Sequence, residues 1–248
     1  MSDLRYFPSL KSLTLTASST VRSVDLGYEN KIERVSVSGS VVEEMDLSGC
    51  GGITEIACGN ALSLNKIALP EAMPSLSVFE LENTAVEELA IANAPALRKM
   101  EYVGTLGNLR SLRLDNVGIE TLTVYGTPVE TVRLSNMPGL KVADMSNNAR
   151  LTDITITGAE ALTDLSVADC AVTQTDLTGA PSLVSFRCDR CPLQSLDLSV
   201  NREIRTVSAE GVPDANGRGK LNIYVAFDAE TPEIIPEDDR IVIKIKTE

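Results

Sequence analysis

The sequence predicts a β-solenoid of short parallel strands, two to each coil, with little or no α-helix. Three observations predict it. An apolar pattern recurs at intervals of 10 to 12 residues across most of the 248-residue chain. Within each unit the apolar positions alternate as they do along a strand. What remains of each unit holds one turn and is too short for a helix of several turns.

The pattern is clearest in Leu109-Arg-Ser-Leu112-Arg-Leu114, apolar at offsets 0, 3 and 5. It starts at Leu10, Val21, Ile32, Val42, Ile53, Leu64, Leu76, Val86, Leu97 and Leu109. It continues at Ile119, Val129, Leu140, Leu151, Leu162, Val172, Leu183, Leu193 and Ile204. Of these 19 starts' 57 apolar slots, 56 hold an apolar residue, and Thr175 is the one polar occupant. Internal self-similarity of this kind decides the fold before any local propensity does.

Each element follows from the spacing. Offsets 3 and 5 point to one face of a strand. Turn residues follow, as at Ser48-Gly49, Asn147-Asn148 and Thr178-Gly179, with Pro-containing stretches before Leu76, Leu97, Leu140 and Leu183. The units alternate in character: those at Val21, Val42, Val172 and Leu193 carry Asp before the offset-5 residue, at Asp25, Asp46, Asp176 and Asp197. The true coil is therefore two units, about 21 to 22 residues, and no coil buries its own apolar edge, so the coils must stack.

The segments Leu193-Gln-Ser-Leu196-Asp-Leu198-Ser-Val-Asn201 and Leu140-Lys-Val-Ala-Asp-Met145-Ser-Asn-Asn148 resemble the leucine-rich repeat, LxxLxLxxN. The nested halves are similar to the irregular 21-residue class of bacterial surface and secreted proteins, particularly of Bacteroidetes. The resemblance spans residues 10–210 and implies a leucine-rich-repeat solenoid, a right-handed superhelix that binds partners. One departure concerns offset 8, Asn in the family pattern, which is Asn only at Asn148 and Asn201. Elsewhere it is mostly small residues or Cys (Ser18, Ser40, Ala61, Thr84, Cys170, Ala180, Cys191), so the turn amides and carbonyls need other partners.

Residues 1–9 form a short edge, with Tyr6, Phe7 and Pro8 ahead of the first unit, and point to a segment missing upstream. Residues 211–248 are read as a β cap: a turn-rich stretch, then strand-like Leu221–Phe227 and Ile241–Lys246 joined by an acidic, Pro-containing loop.

Composition narrows the function. Net charge is −13, pI is near 4.6, and histidine and tryptophan are absent. An acidic chain disfavours nucleic acid and anionic membrane. Without histidine there is no Ser-His-Asp or Cys-His catalytic group and no His-ligated metal. No stretch approaches 18 apolar residues, so direct membrane insertion is not expected. No cofactor and no metal are expected.

Cys188-Asp-Arg-Cys191 is a C-x-x-C, yet both cysteines fall on inward slots with no second pair to complete a zinc site. Cys170 and Cys191 share a slot in adjacent coils, about 5 Å apart at Cα, which permits a disulfide. Parallel inward side chains favour buried thiols.

The outward residues at offset 4 form two columns. One includes Glu80, Glu101, Asp144 and Arg187, with Tyr125 nearby; these five are the candidate binding residues. The other runs from Asp25 and Asp46 through Arg113 and Arg133 to Asp176 and Asp197. Paired carboxylates without a cleft or an aromatic wall do not make a glycosidase. The expectation is a non-enzymatic, monomeric protein-binding module, extracellular or at a cell surface, whose partner is a host or neighbouring-cell surface protein. A structural spacer is the alternative, and a carbohydrate-binding module a weaker third because tryptophan is lacking.

Overall fold

Alternation of side chains along each three- to seven-residue strand buries one row and exposes the other, and this organises the whole computed structural model. It describes residues 8–101, 107–212, 219–235, 237 and 239–246. The chain divides into two compact units, Met1–Ile119 and Glu120–Glu248. Both are parallel β-solenoids, with no helix among the described residues.

The first unit holds β1 (Ser12–Thr16), β2 (Ser23–Asp25), β3 (Arg34–Ser38), β4 (Glu44–Asp46), β5 (Glu55–Gly59), β6 (Lys66–Ala68), β7 (Val78–Glu82), β8 (Glu88–Ala94), β9 (Lys99–Glu101) and β10 (Ser111–Val117). Odd-numbered strands β1-β3-β5-β7-β9 form one parallel sheet, β2-β4-β6 a second, and β8 pairs with β10. Register aligns equivalent repeat positions: Leu13, Val35, Ile56, Phe79 and Met100 lie side by side. Phe79 and Ile56 are wholly buried, and each such side chain stabilises the fold by about 1.5–3 kcal/mol.

The second unit holds β11 (Thr121–Thr123), β12 (Thr131–Ser135), β13 (Val142–Asp144), β14 (Asp153–Thr157), β15 (Asp164–Ser166), β16 (Ser185–Arg187), β17 (Ser195–Asp197), β18 (Thr206–Ser208), β19 (Leu221–Ala226), β20 (Glu233–Ile235) and β21 (Ile241–Lys246). Six strands, β11-β13-β15-β16-β18-β20, form one parallel sheet; β12 pairs with β14, and β17-β19-β21 form another sheet. The described residues of 211–248 thus carry three strands that pair in parallel with the ladders before them, Val207 opposite Ile234 and Leu196 opposite Ile223. The third, β20, lies in the acidic loop that the sequence left without a strand; Ile234 and Ile235 supply its apolar residues.

Corners are made by one residue with positive φ at offset 7: Ala17, Gly39, Asn60, Asn83, Asn93, Asn116, Gly126, Asn136, Asn147, Gly158, Asp169, Arg190 and Gly211. Its N–H points to the next coil, as from Asn60 to Glu82 O (3.0 Å) and Asn147 to Ala168 O (2.8 Å), so the ladder continues through the bend. The turn closes four residues after offset 7, at the start of the next unit, with an N–H to the third carbonyl back, as Leu151 to Asn148 (2.9 Å) and Leu183 to Ala180 (3.2 Å).

Of the 56 repeat slots among the described residues, 48 are buried. Three half-buried ones, Leu10, Leu15 and Val21, lie in the first coil, and Met100 lies in β9. The other four mark two interruptions. Ile67 and Leu69 flank the place where β6 ends its sheet without pairing to β8. Ile154 and Thr175 flank the second, where residues 172–177, the equivalent of β14 one coil on, form no strand and pair with it through one isolated bridge, Thr155 to Asp176. The one polar slot of the repeat stands where the ladder fails.

Candidate functional site

The outward columns are built by the same alternation that buries the core. In the second unit, Leu122, Ala143, Leu165, Phe186 and Val207 are aligned and buried, while Thr123, Asp144, Ser166, Arg187 and Ser208 are aligned beside them on the outward side. Asp144 and Arg187 therefore share this face, two strands apart with Ser166 between them. In the first unit, Glu80 and Glu101 are direct Cα partners on β7 and β9. Tyr125 follows β11 and is 59% exposed.

Most of these groups are engaged within the chain. Glu80 pairs with Lys99 of the next coil. Asp144 Oδ1 accepts from Ser146 N (3.0 Å) and Ser146 Oγ (2.6 Å), closing the strand end with an Asx turn; Ser146 Oγ also meets Ser166 Oγ at 2.7 Å. Arg187 Nε donates to Asp189 Oδ2 at 2.7 Å instead of reaching toward Asp144. Asp189 also accepts from Ser208 Oγ (2.7 Å) and Glu210 N (2.8 Å), and is 1% exposed. Burial pushes its carboxyl up, and these three donors more than offset that, leaving it below the usual carboxylate range.

The aspartates of the other column act in the same way. Asp46, Asp176 and Asp197 each accept the N–H two residues on, from Ser48 (2.9 Å), Thr178 (3.0 Å) and Ser199 (3.0 Å). The sequence places these residues on the outward face and turns at Ser48-Gly49 and Thr178-Gly179, but the closing of the turns by the Asp side chains was missed. The signal was there: Asp followed at the second position by Ser or Thr. Buried Asp189 was also missed, hidden inside the C-x-x-C.

Offset 8 supplies the remaining polar partners. Asn148 is fully buried: its Nδ2 donates to Val124 O (2.7 Å) and Met145 O (2.8 Å), and its Oδ1 accepts from Thr127 N (2.8 Å) and Oγ1 (2.9 Å). One coil on, Cys170 Sγ donates to Met145 O at 3.0 Å, and Cys191 Sγ in turn to Val167 O at 2.9 Å. Cysteine thus does part of asparagine's work. All five cysteines are buried free thiols. Desolvation pushes Cys170 to about 11 and Cys58 and Cys191 to about 12.

No family model matches this chain. No curated protein matches it either. Among solved structures it is similar to the functional domain of InlJ from Listeria monocytogenes, described as including a cysteine ladder, at TM-score 0.38 and 14% identity over 91% of this chain. The chain spans 61% of that domain's length. It is also similar to the pneumococcal vaccine antigen PcpA, at TM-score 0.23 and 12% identity over 94% of this chain and 79% of that one. Likenesses this distant carry no argument; the solenoid rests on the strand pairing above.

Chemically, the outward columns present hydroxyls, guanidinium groups and paired carboxylates. The buried thiols are protonated at neutral pH and are poor nucleophiles. Among the described residues no group of three or more His, Cys, Asp or Glu side chains is placed to hold a metal ion. No helix among them is long and apolar enough to cross a membrane.

Proposed function

We propose that this chain is a non-enzymatic protein-binding module of a bacterial surface or secreted protein, displayed outside the cell and acting as a monomer toward a host or neighbouring-cell surface protein. The observation that supports it is the six-stranded sheet β11-β13-β15-β16-β18-β20. Its inward row is uniformly apolar while its outward row changes from Thr123 to Asp144, Ser166, Arg187 and Ser208. A rigid platform with a variable outward face suits recognition, and Tyr125 adds an exposed aromatic of the kind that anchors interfaces.

A spacer is the second reading, favoured by ion pairs that link like positions of successive coils: Lys11 with Glu33, Arg22 with Glu43, and Lys141 with Glu120. Charges engaged within the fold leave less for a partner. Two measurements decide. Protease shaving of intact source cells, read by mass spectrometry, releases peptides of this chain if it is displayed; peptides seen only after lysis refute the surface reading. Labelled chain carrying Glu80→Ala and Tyr125→Ala then binds target cells at least about tenfold more weakly than wild type if it is a binder, equivalent to about 1.4 kcal/mol. Absence of saturable binding by the wild-type chain supports the spacer, and unchanged binding by the variant removes Glu80 and Tyr125 from the interface.

A further inference from the structure

We infer that the interruption beside β14 is a slot that takes a short extended peptide, whose main chain completes the broken ladder. This rests on the protein-binding reading above and names one way in which the binding is done. The slot lies wholly within the second unit. Its volume is about 450 Å³, inside the range of ligand sites. One wall is β14 and the other is the segment Thr173–Asp176.

Four observations converge. β14 pairs with β12 over five residues, yet on its other edge its strand pairing is the single Thr155–Asp176 bridge, and the backbones close up again only at its C-terminal end, where Gly179 packs against Ile156 O. Ile154, a core slot, is only half-buried here and offers an apolar floor. Thr175 replaces the apolar residue found in the other 56 slots, and its Oγ1 is buried with no hydrogen-bond partner. An orphaned buried hydroxyl is costly unless something else meets it.

The lining also selects the ligand. The two carboxylates are already held: Asp153 Oδ2 by Arg133 (3.0 Å) and Asp176 Oδ1 by Thr178. What remains is neutral: threonine hydroxyls, the Gln174 amide and a strand edge. No lysine or arginine lines the slot to hold an anion, and no aromatic ring lines it to stack a sugar. An extended peptide repeats N–H and C=O groups at the spacing of a strand, and adding a strand to an exposed edge is an established mode of recognition. At roughly 3.3 Å per residue, the stretch before the bridge takes three or four residues.

The test is hydrogen–deuterium exchange of the full chain with the blocked peptide acetyl-Thr-Val-Thr-Val-Thr-amide as probe. With the probe at ten times its Kd, exchange at residues 152–156 and 173–176 slows about tenfold, saturably. Thr175→Val restores the apolar slot, protects these amides without peptide, and shows no further slowing with it. Thr173→Arg, at an exposed position, blocks the mouth and abolishes the peptide effect in case the first variant misfolds. Absence of saturable slowing in wild type, slowing that persists in both variants, or equal protection by a neutral trisaccharide overturns the proposal. The cell-binding assay reads Glu80 and Tyr125, outside the slot, so loss of that effect with probe protection intact refutes the binding roles of those two residues and not the slot.

Discussion

Arg187 Nε donates to Asp189 Oδ2 at 2.7 Å, joining a guanidinium on the outward column to a carboxylate that is 1% exposed. The pair ties the surface to the turn, because Asp189 also receives Ser208 and Glu210 of the next coil. Asp189→Ala orphans the Ser208 hydroxyl and the Glu210 amide and is expected to cost about 2–3 kcal/mol in urea unfolding. Arg187→Ala leaves both of those bonds and is expected to cost about 1 kcal/mol. Equal losses would show that the guanidinium, not the turn, is what Asp189 serves.

Acid should destabilise the fold for the same reason. Asp46 and Asp176 are held low by the Ser48 and Thr178 hydroxyls, Asp169 by the Arg190 guanidinium, and Asp189 by its three donors against burial. A carboxylate lowered in the folded state stabilises it fully above the unfolded pKa, near 4, and that contribution is lost as pH falls through the folded value. The Tm is expected to be flat from about pH 8 to 5 and to fall below about pH 4. A Tm that rises on acidification would contradict these assignments.

The two ladder asparagines should not be equal. Asn148 satisfies four groups across adjacent coils. Asn201 donates to Leu177 O (3.1 Å) and Ala180 O (2.7 Å), but its Oδ1 is buried without a partner. Asn148→Ala is expected to cost about 3 kcal/mol and Asn201→Ala about half of that, measured side by side by chemical denaturation. The reverse order would mean that Asn201 has a partner the geometry does not show.

The fold was legible because it is written in residue type: Leu, Ile and Val at fixed offsets declare a buried row. Thr175 stands out in the sequence as the one polar slot, but the break in the ladder beside it shows only in the strand pairing. The corner residues were half legible. Asn60, Asn83 and Asn147 recur at offset 7 as residues that tolerate positive φ, but Ala17 and Arg190 adopt it too. There the neighbouring coils impose the conformation against local preference. The candidate site was legible only as positions. That Glu80 meets Lys99, or that Arg187 turns to Asp189, depends on rotamers and on neighbours some 20 residues away, which a column of letters does not encode.

Close approach of coils makes some glycines irreplaceable. A Cβ at Gly49 would lie 1.9 Å from Tyr28 O, and one at Gly179 would lie 2.0 Å from Ile156 O, both backbone atoms of the preceding coil. Gly49→Ala and Gly179→Ala are each expected to cost about 3 kcal/mol, since the ladder itself must shift. Gly52 meets nothing within 4 Å, and Gly52→Ala is expected to stabilise by about 0.5 kcal/mol through the unfolded chain. Thermal melts of the three variants check this, and a neutral Gly179→Ala would show that the coils are not in such close contact.

The thiols give the most direct test of the inward slots. All five cysteines are buried, and desolvation raises Cys50, Cys58, Cys170, Cys188 and Cys191 above the ordinary thiol value. At pH 8 the thiolate fraction of a thiol near 12 is about 10⁻⁴, and access is closed as well. Native protein is therefore expected to react with an aromatic disulfide reagent at less than one thiol per chain over minutes, and at five after denaturation. If Cys170 and Cys191 were joined, the denatured count would be three and would rise to five only with reductant. Rapid labelling of the native chain would mean that offset 8 does not point inward, and the thiol-to-carbonyl contacts that stand in for asparagine at Cys170 and Cys191 would fall with it.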